Sequence, residues 1–423
     1  MLVSSTIDHH PLVSRALGDP SRLLFITGPA GSGKSTLLKA VREELAGPVA
    51  VLAPSGLAAL NVVGQTIHSF FGLPPIYIKK DDAKNFEPPE VCRDVRTIII
   101  DEISMVRPDT MAAIDTIMRN AQASNLPFGG VQMIAFGDMG QLPPVIRGPE
   151  MQSLRQAYGG IYWFNADAVK NYRPRVFSLQ KIHRQNEPDF LSALNAAREG
   201  RLQKEHLDLL NSRVATGRDA TTLVPTNGLA RNINRQRIQG LPGKPAYFLG
   251  KVSGKYQGAG SGNDLELKVG AVVCMLNNDQ QGRWVNGTRG RICSIDDPFI
   301  GEQSCYVEIN GEQHRVQPYR WENFEYRPGA PSEGELDKRL TGTLTQLPVR
   351  LAWAITIHRS QGMTLDRVHV DFDRGTFAHG QAYVALSRCR TLRGLTLERP
   401  IRNSDVWFDK EAFGYRGLFE ELR

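Results

Sequence analysis

The sequence lacks the features that mark metal-binding, membrane-spanning and secreted proteins. Its five cysteines are scattered and odd in number, and no CxxC pair occurs, which argues for reduced thiols and against a zinc site. No apolar run approaches the ~20 residues that span a bilayer. The first residues carry no basic segment followed by an apolar core, so we expect no secretory leader. These absences favour a cytoplasmic protein with no membrane partner.

The composition is that of a soluble globular protein, and it contains one weak indication of a partner. The 423 residues suffice for two or three domains, and 41% apolar with 22% charged residues is ordinary. No repeat of fixed period and no low-complexity tract occurs. The net charge of +7 is compatible with a polyanionic partner, although a solvated basic surface is the commoner explanation.

The most specific motif is the segment 28–35, GPAGSGKS, which matches the phosphate-loop pattern GxxxxGK[ST]. A predicted strand at 23–27 precedes it and a predicted helix at 35–46 follows it, which disfavours a chance glycine-rich turn. Backbone N–H groups would face phosphate oxygens, Lys34 would reach the β- and γ-phosphates, and Ser35 would ligate Mg²⁺. The predicted nucleotide-binding residues are Gly28, Pro29, Ala30, Gly31, Ser32, Gly33, Lys34, Ser35 and Thr36.

Two carboxylates and an amide supply the remaining chemistry of nucleotide hydrolysis. Asp101 and Glu102 directly follow an isoleucine run, so we expect Asp101 to hold Mg²⁺ with Ser35 and Glu102 to polarise the attacking water. Gln141 follows a fourth predicted strand and is a candidate to contact the γ-phosphate or the water. The alternatives are a solvated strand end for the carboxylates and a turn amide for Gln141. No NKxD motif is present, which disfavours a GTPase.

The pattern along the chain predicts α/β domains with insertions. Apolar strands alternate with helical stretches through about residue 145, which is typical of a parallel sheet covered on both faces. A Pro- and Lys-rich stretch interrupts the alternation and indicates a lobe or hairpin. Turn-rich strands further on predict a small β-barrel inserted into a second α/β unit. The predicted domains are 1–173 with an insertion at about 72–92, 174–246 with 349–423, and 247–348.

Several motifs in order resemble those of the Pif family of DNA helicases, in the RecD-like branch of helicase superfamily 1. The resemblance extends over most of the chain, and its ordered series argues against a P-loop kinase or signalling ATPase. The matching segments are 53–56, 64–71, 101–105, 127–132, 137–145, 179–185, 285–290, 351–362 and 381–388.

The resemblance implies a fold and an activity. The fold is α/β, with two RecA-like parallel-sheet domains, nucleotide between them, a small wedge insertion in the first and an SH3-like β-barrel insertion in the second. The activity is an ATP- and Mg²⁺-dependent DNA helicase that moves 5′ to 3′ on single-stranded DNA and unwinds duplex or forked DNA, with G-quadruplexes as candidate substrates. Arg184 and Arg388 would contact the γ-phosphate. We expect a bacterial or phage-type monomer, with a dimer on DNA as the alternative.

The resemblance also implies a set of DNA-binding residues. Some have an ordinary structural alternative: helix capping for Thr226 and Asn227, the core for Phe70, and solvated polarity for Thr356, His358 and Gln361. The predicted set is Pro54, Ser55, Thr66, His68, Phe70, Thr226, Asn227, Thr356, His358 and Gln361.

Two departures from the family pattern bear on specificity. Residues 1–27 contain no glutamine to recognise adenine, so Asp8, His9, His10 or backbone groups would have to replace it. Arg359 stands where the family has lysine, which keeps the charge but changes the head group. The alternative function is a nucleotide-gated ATPase that binds single-stranded nucleic acid without unwinding it.

Overall fold

The computed structural model describes residues 18–19, 23–74, 76–80, 82–172, 174–216, 220–256, 264–284, 286–296, 303–327 and 337–422. The strands are β1 (Leu24–Thr27), β2 (Val49–Ala53), β3 (Gln65–Thr66), β4 (Thr97–Ile100), β5 (Gln132–Gly137), β6 (Arg175–Ser178), β7 (Thr221–Val224), β8 (Ala246–Leu249), β9 (Lys251–Gly254), β10 (Asp264–Leu267), β11 (Val272–Met275), β12 (Arg289–Ile295), β13 (Cys305–Ile309), β14 (Glu312–Val316), β15 (Tyr319–Arg327), β16 (Asp337–Gln346), β17 (Val349–Leu351), β18 (Ala354–Thr356), β19 (Val368–Val370), β20 (Leu395–Leu397) and β21 (Glu420–Glu421).

The α-helices are α1 (Lys34–Glu44), α2 (Gly56–Asn61), α3 (Ile67–Phe71), α4 (Pro108–Ala121), α5 (Gly148–Tyr158), α6 (Asp167–Asn171), α7 (Pro188–Arg198), α8 (Lys204–Asn211), α9 (Asn227–Gln239), α10 (Ile357–Ser360) and α11 (Gln381–Ser387). Among the described helices, none combines the length and apolar character that crossing a bilayer requires.

The chain forms two compact units. The first unit comprises Met1–His183, Phe324–Arg339 and Asp409–Arg423, and the second comprises Arg184–Asn323 and Leu340–Phe408.

A parallel sheet that is apolar on both faces organises the first unit. Its strand order is β21-β6-β1-β5-β4-β2-β3, and the strand pairs are parallel. Phe25 of β1 packs in one core with Ile114 of α4, whereas Ile26 packs in another with Leu38 of α1. Because alternate side chains point to opposite faces, a continuous apolar strand buries both, which confirms the predicted covered sheet.

The structure corrects two assignments in this sheet. Strand β6 was expected to open the second α/β unit, but it pairs with β1, with Val176 opposite Phe25. The chain's last strand, β21, pairs with β6, and Tyr415 and Phe419 pack edge-on against Phe25 at centroid distances of 5.2 and 6.0 Å. A short apolar strand carries no local signal of its partner, so only long-range packing could assign these segments to the first unit.

The stretch at 72–92 contains two 3-10 helices, Asp82–Asn85 and Glu90–Arg93, and no strand among its described residues. Of the two alternatives, it is therefore a lobe and not a hairpin. Ile78 and Ala83 bury their side chains in the core that contains α4.

A buried ion pair ties this lobe to α4. Arg107 donates to both carboxylate oxygens of Asp109, at 2.9 and 2.6 Å, and also to the carbonyl of Ile76 at 2.6 Å. Asp109 accepts the backbone N–H of Ile78 at 2.9 Å. The pair thus binds two backbone groups of the lobe, one of which, the Ile78 N–H, would otherwise be buried without a partner.

The second unit combines a parallel sheet with an antiparallel insertion. The parallel sheet has the order β18-β7-β19-β20. The insertion holds a five-stranded antiparallel sheet, β14-β13-β12-β11-β17, and the two-stranded sheet β10-β8. Its own core includes Phe248, Val273, Trp284 and Val307. The prediction of an inserted β unit is confirmed, and this unit has a hydrophobic core of its own.

Replacing Asp109 with Asn tests the anchor of the lobe. We expect the free energy of unfolding to fall by about 3 kcal/mol, because Arg107 keeps a buried charge without its main partner. Urea unfolding measures this. The control is Asp167→Asn, which breaks an ion pair with Lys80 whose side chains are 48% and 66% exposed and should cost less than about 1 kcal/mol. Equal losses in the two variants would contradict an anchoring role.

Candidate nucleotide and nucleic-acid site

The phosphate loop, residues 28–33, forms a tight backbone cradle between β1 and α1. Gly31 and Gly33 adopt left-handed φ angles of 80° and 88°, which favour glycine. A Cβ atom at Gly28 would lie 2.7 Å from Ser32 Oγ and 2.8 Å from the carbonyl oxygen of Leu179. The cradle therefore excludes larger residues at these positions, and α1 begins at its rim, where the positive end of the helix favours an anion.

The polar side chains of the cradle suit a phosphate ligand. Lys34 Nζ donates to the carbonyls of Gly28 and Pro29 at 2.8 and 3.0 Å, which places the ammonium over the loop. Ser32 is buried, and its Oγ has no hydrogen-bond partner within the described chain. Ser35 and Thr36 are exposed in the first turn of α1. Of the other predicted nucleotide-binding residues, Ala30 is buried, and Pro29 has no backbone N–H but its carbonyl accepts the Lys34 ammonium.

Asp101 lies at the carboxyl end of β4 and is 8% exposed. Burial, followed by the charge of Glu102, raises the pKa of Asp101 to about 7, against opposing effects of the Glu102 N–H group and Lys34. That N–H donates to Asp101 Oδ1 at 2.9 Å. Carboxylate and hydroxyl oxygens are ligands that Mg²⁺ prefers, so Asp101 and Ser35 fit the ion expected with a nucleotide.

Glu102 has a left-handed φ of 49°, which is uncommon for a residue with a side chain. Such strained backbone is found at sites where the surrounding structure holds it. The turn directs the chain from β4 into the 3-10 helix Ile103–Met105. The backbone of Glu102 therefore differs in conformation from the extended strand before it, although Glu102 directly follows Asp101 in sequence.

Asp138 is a site residue to which the sequence analysis assigned no role. It is fully buried at the end of β5, where Oδ1 accepts the Gly140 N–H at 3.0 Å and Oδ2 accepts Gln141 Nε2 at 3.4 Å. Asp138 therefore orients Gln141, which is 4% exposed. The available signal was a carboxylate directly after a buried parallel strand.

The second unit brings its two predicted arginines to one end of α11. Arg388 is 1% exposed and donates to the carbonyls of Val384 and Met363 at 2.9 and 3.2 Å. Arg184 donates to the carbonyl of Ser387 at 3.2 Å. Gln185, which the sequence analysis left without a role, donates to that same carbonyl and to that of Cys389, at 3.1 and 2.9 Å.

The predicted DNA-binding hydroxyls of the first unit cap two helices that follow adjacent parallel strands. Ser55 Oγ accepts the Ala58 N–H at the start of α2, and Thr66 Oγ1 accepts the Ser69 N–H at the start of α3. Strands β2 and β3 pair so that Ala53 stands opposite Thr66. Pro54 separates Ala53 from the cap at Ser55.

The second unit repeats this arrangement in the same register. Thr226 caps α9 by accepting the Leu229 N–H, and Thr356 caps α10 by accepting the Arg359 N–H, each at 3.3 Å. Val224 stands opposite Thr356 across β7 and β18. In each unit, one capping hydroxyl lies two residues beyond the residue that pairs with the other. The helix-capping alternative is thus realised at Thr226, and the caps at Ser55, Thr66 and Thr356 are found only in the structure. Two helix N-termini therefore lie side by side in each unit.

Two histidines accompany these caps. Burial, followed by the charge of Arg107, lowers the pKa of His68, although Asp109 opposes this. Burial also lowers the pKa of His358, whose ring stacks on Phe377 at 6.2 Å and an interplanar angle of 16°. Both are therefore neutral at pH 7 and offer hydrogen bonds without a charge. The predicted Asn227 is exposed at the start of α9, and Gln361, 8% exposed, follows α10.

The structure corrects the prediction that Phe70 stacks on a base. Phe70 is 3% exposed and belongs to the first unit's core, where its ring meets Phe71 edge-on at 4.7 Å. A buried ring has no free face, so the core alternative holds. Asp8, His9, His10 and residue 285 lie outside the described residues, and Arg359 is exposed.

Comparison with known proteins gives concordant matches. The family model described as PIF1-like helicase matches residues 9–208. The chain is 34% identical to human "ATP-dependent DNA helicase PIF1" over 88% of its length and spans 57% of that relative. It is 31% identical to "ATP-dependent DNA helicase Pif1" of Bdellovibrio bacteriovorus, over 88% of this chain and 83% of the relative.

Solved structures match nearly the whole chain. Bacteroides sp Pif1 in complex with ADP-AlF4 aligns with a TM-score of 0.87 and 32% identity, covering 99% of this chain and 97% of that one. Bacteroides Pif1 bound to ssDNA aligns with a TM-score of 0.68 and 32% identity, covering 97% of each. A structure of two coordinating Pif1 helicases at forked dsDNA aligns with a TM-score of 0.70 and 31% identity, covering 98% of each.

Phe70→Leu separates a core role from a stacking role. We expect the free energy of unfolding to fall by about 1 to 2 kcal/mol, because the smaller side chain leaves part of the packed space empty. The affinity for oligo-dT should stay the same, which fluorescence anisotropy measures. A large loss of affinity without a loss of stability would restore Phe70 to the binding surface.

Proposed function

We propose a function from one premise: the chain belongs to the PIF1-like helicase family. It hydrolyses ATP with Mg²⁺ to move along single-stranded DNA, 5′ to 3′, and unwinds duplex DNA. The relatives named as ATP-dependent DNA helicases support the activity, and the human relative extends well beyond the matched region.

The observation that carries the proposal is the repeated pair of capped helices. In each unit, two adjacent parallel strands are each followed by a helix that a hydroxyl side chain caps. The register of the strand pair is the same in both units. A helix N-terminus attracts phosphate through its N–H groups and partial positive charge, without a charged side chain. Two such pairs, Ser55 with Thr66 and Thr226 with Thr356, give each unit its own sequence-independent grip on a sugar–phosphate backbone.

In the proposed reaction, different residues of the first unit bind the phosphates, hold the metal ion and activate the attacking water. The cradle at 28–33 binds the phosphates, and Lys34 neutralises charge on the terminal ones. Ser35 and Asp101 would hold Mg²⁺, which supplies charge stabilisation of the transferring phosphoryl group. Glu102 orients and polarises the attacking water, and Gln141, held by Asp138, contacts the water or the γ-phosphate.

Arg184 and Arg388 stabilise the transition state from the second unit in this proposal. Their guanidinium groups now donate to neutral carbonyls. A charged phosphate is a stronger acceptor than a carbonyl, so a γ-phosphate within reach would compete for these donors. Hydrolysis would remove that acceptor, which couples the nucleotide to the conformation of the protein.

Movement then follows if the two grips bind the strand with different strength before and after hydrolysis. One grip holds while the other shifts, so each ATP advances the protein. The alternative is an ATPase that binds single-stranded nucleic acid and does not unwind it. We propose that the chain works as a monomer. The structure of two coordinating Pif1 helicases at forked dsDNA supports the alternative that two copies pair at a fork.

ATPase assays with and without single-stranded DNA test the proposal. We expect stimulation of about 5-fold or more, because grip and hydrolysis are coupled. Lys34→Ala should abolish turnover and weaken nucleotide binding, whereas Glu102→Gln should bind ATP without cleaving it. Unwinding of 5′-tailed but not 3′-tailed duplexes should accompany the stimulation. Stimulation below about twofold with no unwinding would favour the alternative.

Thr226→Asp tests the grip of the second unit. Aspartate retains the helix cap and suits the helix dipole, but it places a negative charge where the phosphate would bind. We expect the affinity for oligo-dT to fall by about 10-fold or more, whereas Thr226→Ser should retain it.

The matched control is Thr391→Asp. Thr391 is another exposed hydroxyl cap of the second unit, and it accepts the Gly394 N–H at 3.2 Å outside both grips. Its substitution should leave DNA affinity unchanged. Equal losses for Thr391→Asp and Thr226→Asp would reduce the effect to net charge and remove the grip.

A further inference from the structure

Helix α9 carries an exposed basic stripe that the proposed nucleotide and DNA contacts do not use. The helix has 13 residues, NGLARNINRQRIQ, with three arginines and no acidic residue. Its inward side packs through Ala230 and Ile238. Asn234 exchanges hydrogen bonds of 2.7 and 2.9 Å with the backbone of Ala354, at the edge strand β18. These contacts hold the helix firmly and leave its opposite side exposed.

Residues four apart share one side of a helix, so Arg231, Arg235 and Gln239 lie along a single line. All three are exposed, and the exposed Asn232 and Gln236 flank the line. Arg237 is also exposed, but at 3.6 residues per turn it points to a different side. We call the five residues Arg231, Asn232, Arg235, Gln236 and Gln239 the α9 stripe.

The arginines of the α9 stripe have no hydrogen-bond or ion-pair partner among the described residues. Other arginines of the protein do: Arg119 bridges Asp115 at 2.9 Å, Arg283 bridges Asp279 at 2.7 Å and Arg399 bridges Asp405 at 2.7 Å. Like charges one turn apart destabilise a helix, and an acidic first turn that would favour its dipole is absent. The fold therefore gains nothing from this charge pattern, which indicates a use outside the fold.

We propose that the α9 stripe binds the backbone of single-stranded DNA beyond the Thr226 cap. This inference rests on the proposed function, because α9 begins at the grip formed by Thr226. Two guanidinium groups and three neutral amides suit a polyanion with no base-specific reading. At a rise of 1.5 Å per residue, Arg231 and Arg235 lie about 7 and 13 Å along the axis from Thr226. Those distances place both guanidinium groups where they would meet nucleotides next to the one at the cap.

Binding of an oligo-dT length series tests the stripe in the full chain. In the wild-type protein, affinity should rise with length until the strand covers both the grips and the α9 stripe. In Arg231→Gln/Arg235→Gln, the rise should end at a shorter oligonucleotide, because the phosphates farthest from the cap lose their contacts. The slope of log affinity against log salt should shrink by about 1.4, from two phosphate contacts at roughly 0.7 each. Glutamine keeps the helix propensity, so folding is preserved.

Arg237→Gln is the positional control, because it removes one arginine charge from another side of the same helix. It should retain the wild-type saturation length. If the double variant retains it too, with an unchanged salt slope, the inference is overturned. Thr226→Asp distinguishes a failure of the α9 stripe from a failure of the grip at Thr226, since it should weaken binding of oligo-dT at every length. A wild-type chain that binds no single-stranded DNA would overturn the proposed function itself.

Discussion

Burial of both faces of a parallel sheet is the constraint on which the site in the first unit depends. Strands β1, β4 and β5 are buried along their whole length and mostly apolar, so each must be covered on two sides. Helical crossovers between parallel strands then bring their carboxyl ends to one edge. The phosphate loop, Asp101 and Asp138 follow these three strands directly. Their chemistry is assembled because the core leaves the strands no other arrangement.

The polar groups at that edge are satisfied in different ways, and the differences explain their roles. Asp138 is fully enclosed and bonded, so it serves to orient Gln141. Asp101 is buried with the charge of Glu102 beside it, which raises its pKa and favours a cation as partner. Ser32 Oγ is enclosed without a partner in the described chain. An incomplete set of hydrogen bonds at a glycine-lined cradle is what a phosphate ligand would complete.

The proposed DNA contacts also do without charged side chains, because helix N-termini form them. Each capping hydroxyl accepts one N–H group of its own helix, and other N–H groups of the same first turn lie near the end of the preceding strand. The four hydroxyls are those of Ser55, Thr66, Thr226 and Thr356. The neutral histidines beside them add hydrogen bonds without attracting phosphate strongly. In the proposed function, such contacts would be weak individually and independent of base sequence, as a protein that repeatedly binds and releases a strand requires.

The sequence by itself determined the strands around the phosphate loop, the glycine-rich loop between strand and helix, and the presence of an inserted β unit, because glycine, charge and apolar runs act locally. Only the tertiary structure decided that β6 and β21 complete the first sheet, that Phe70 is core, and that Gln185 and Asp138 hold other site residues. It also decided the matching register of the two grips. Each of these depends on which distant segments pack together, and a short apolar or polar segment has the same local signal whichever partner it finds.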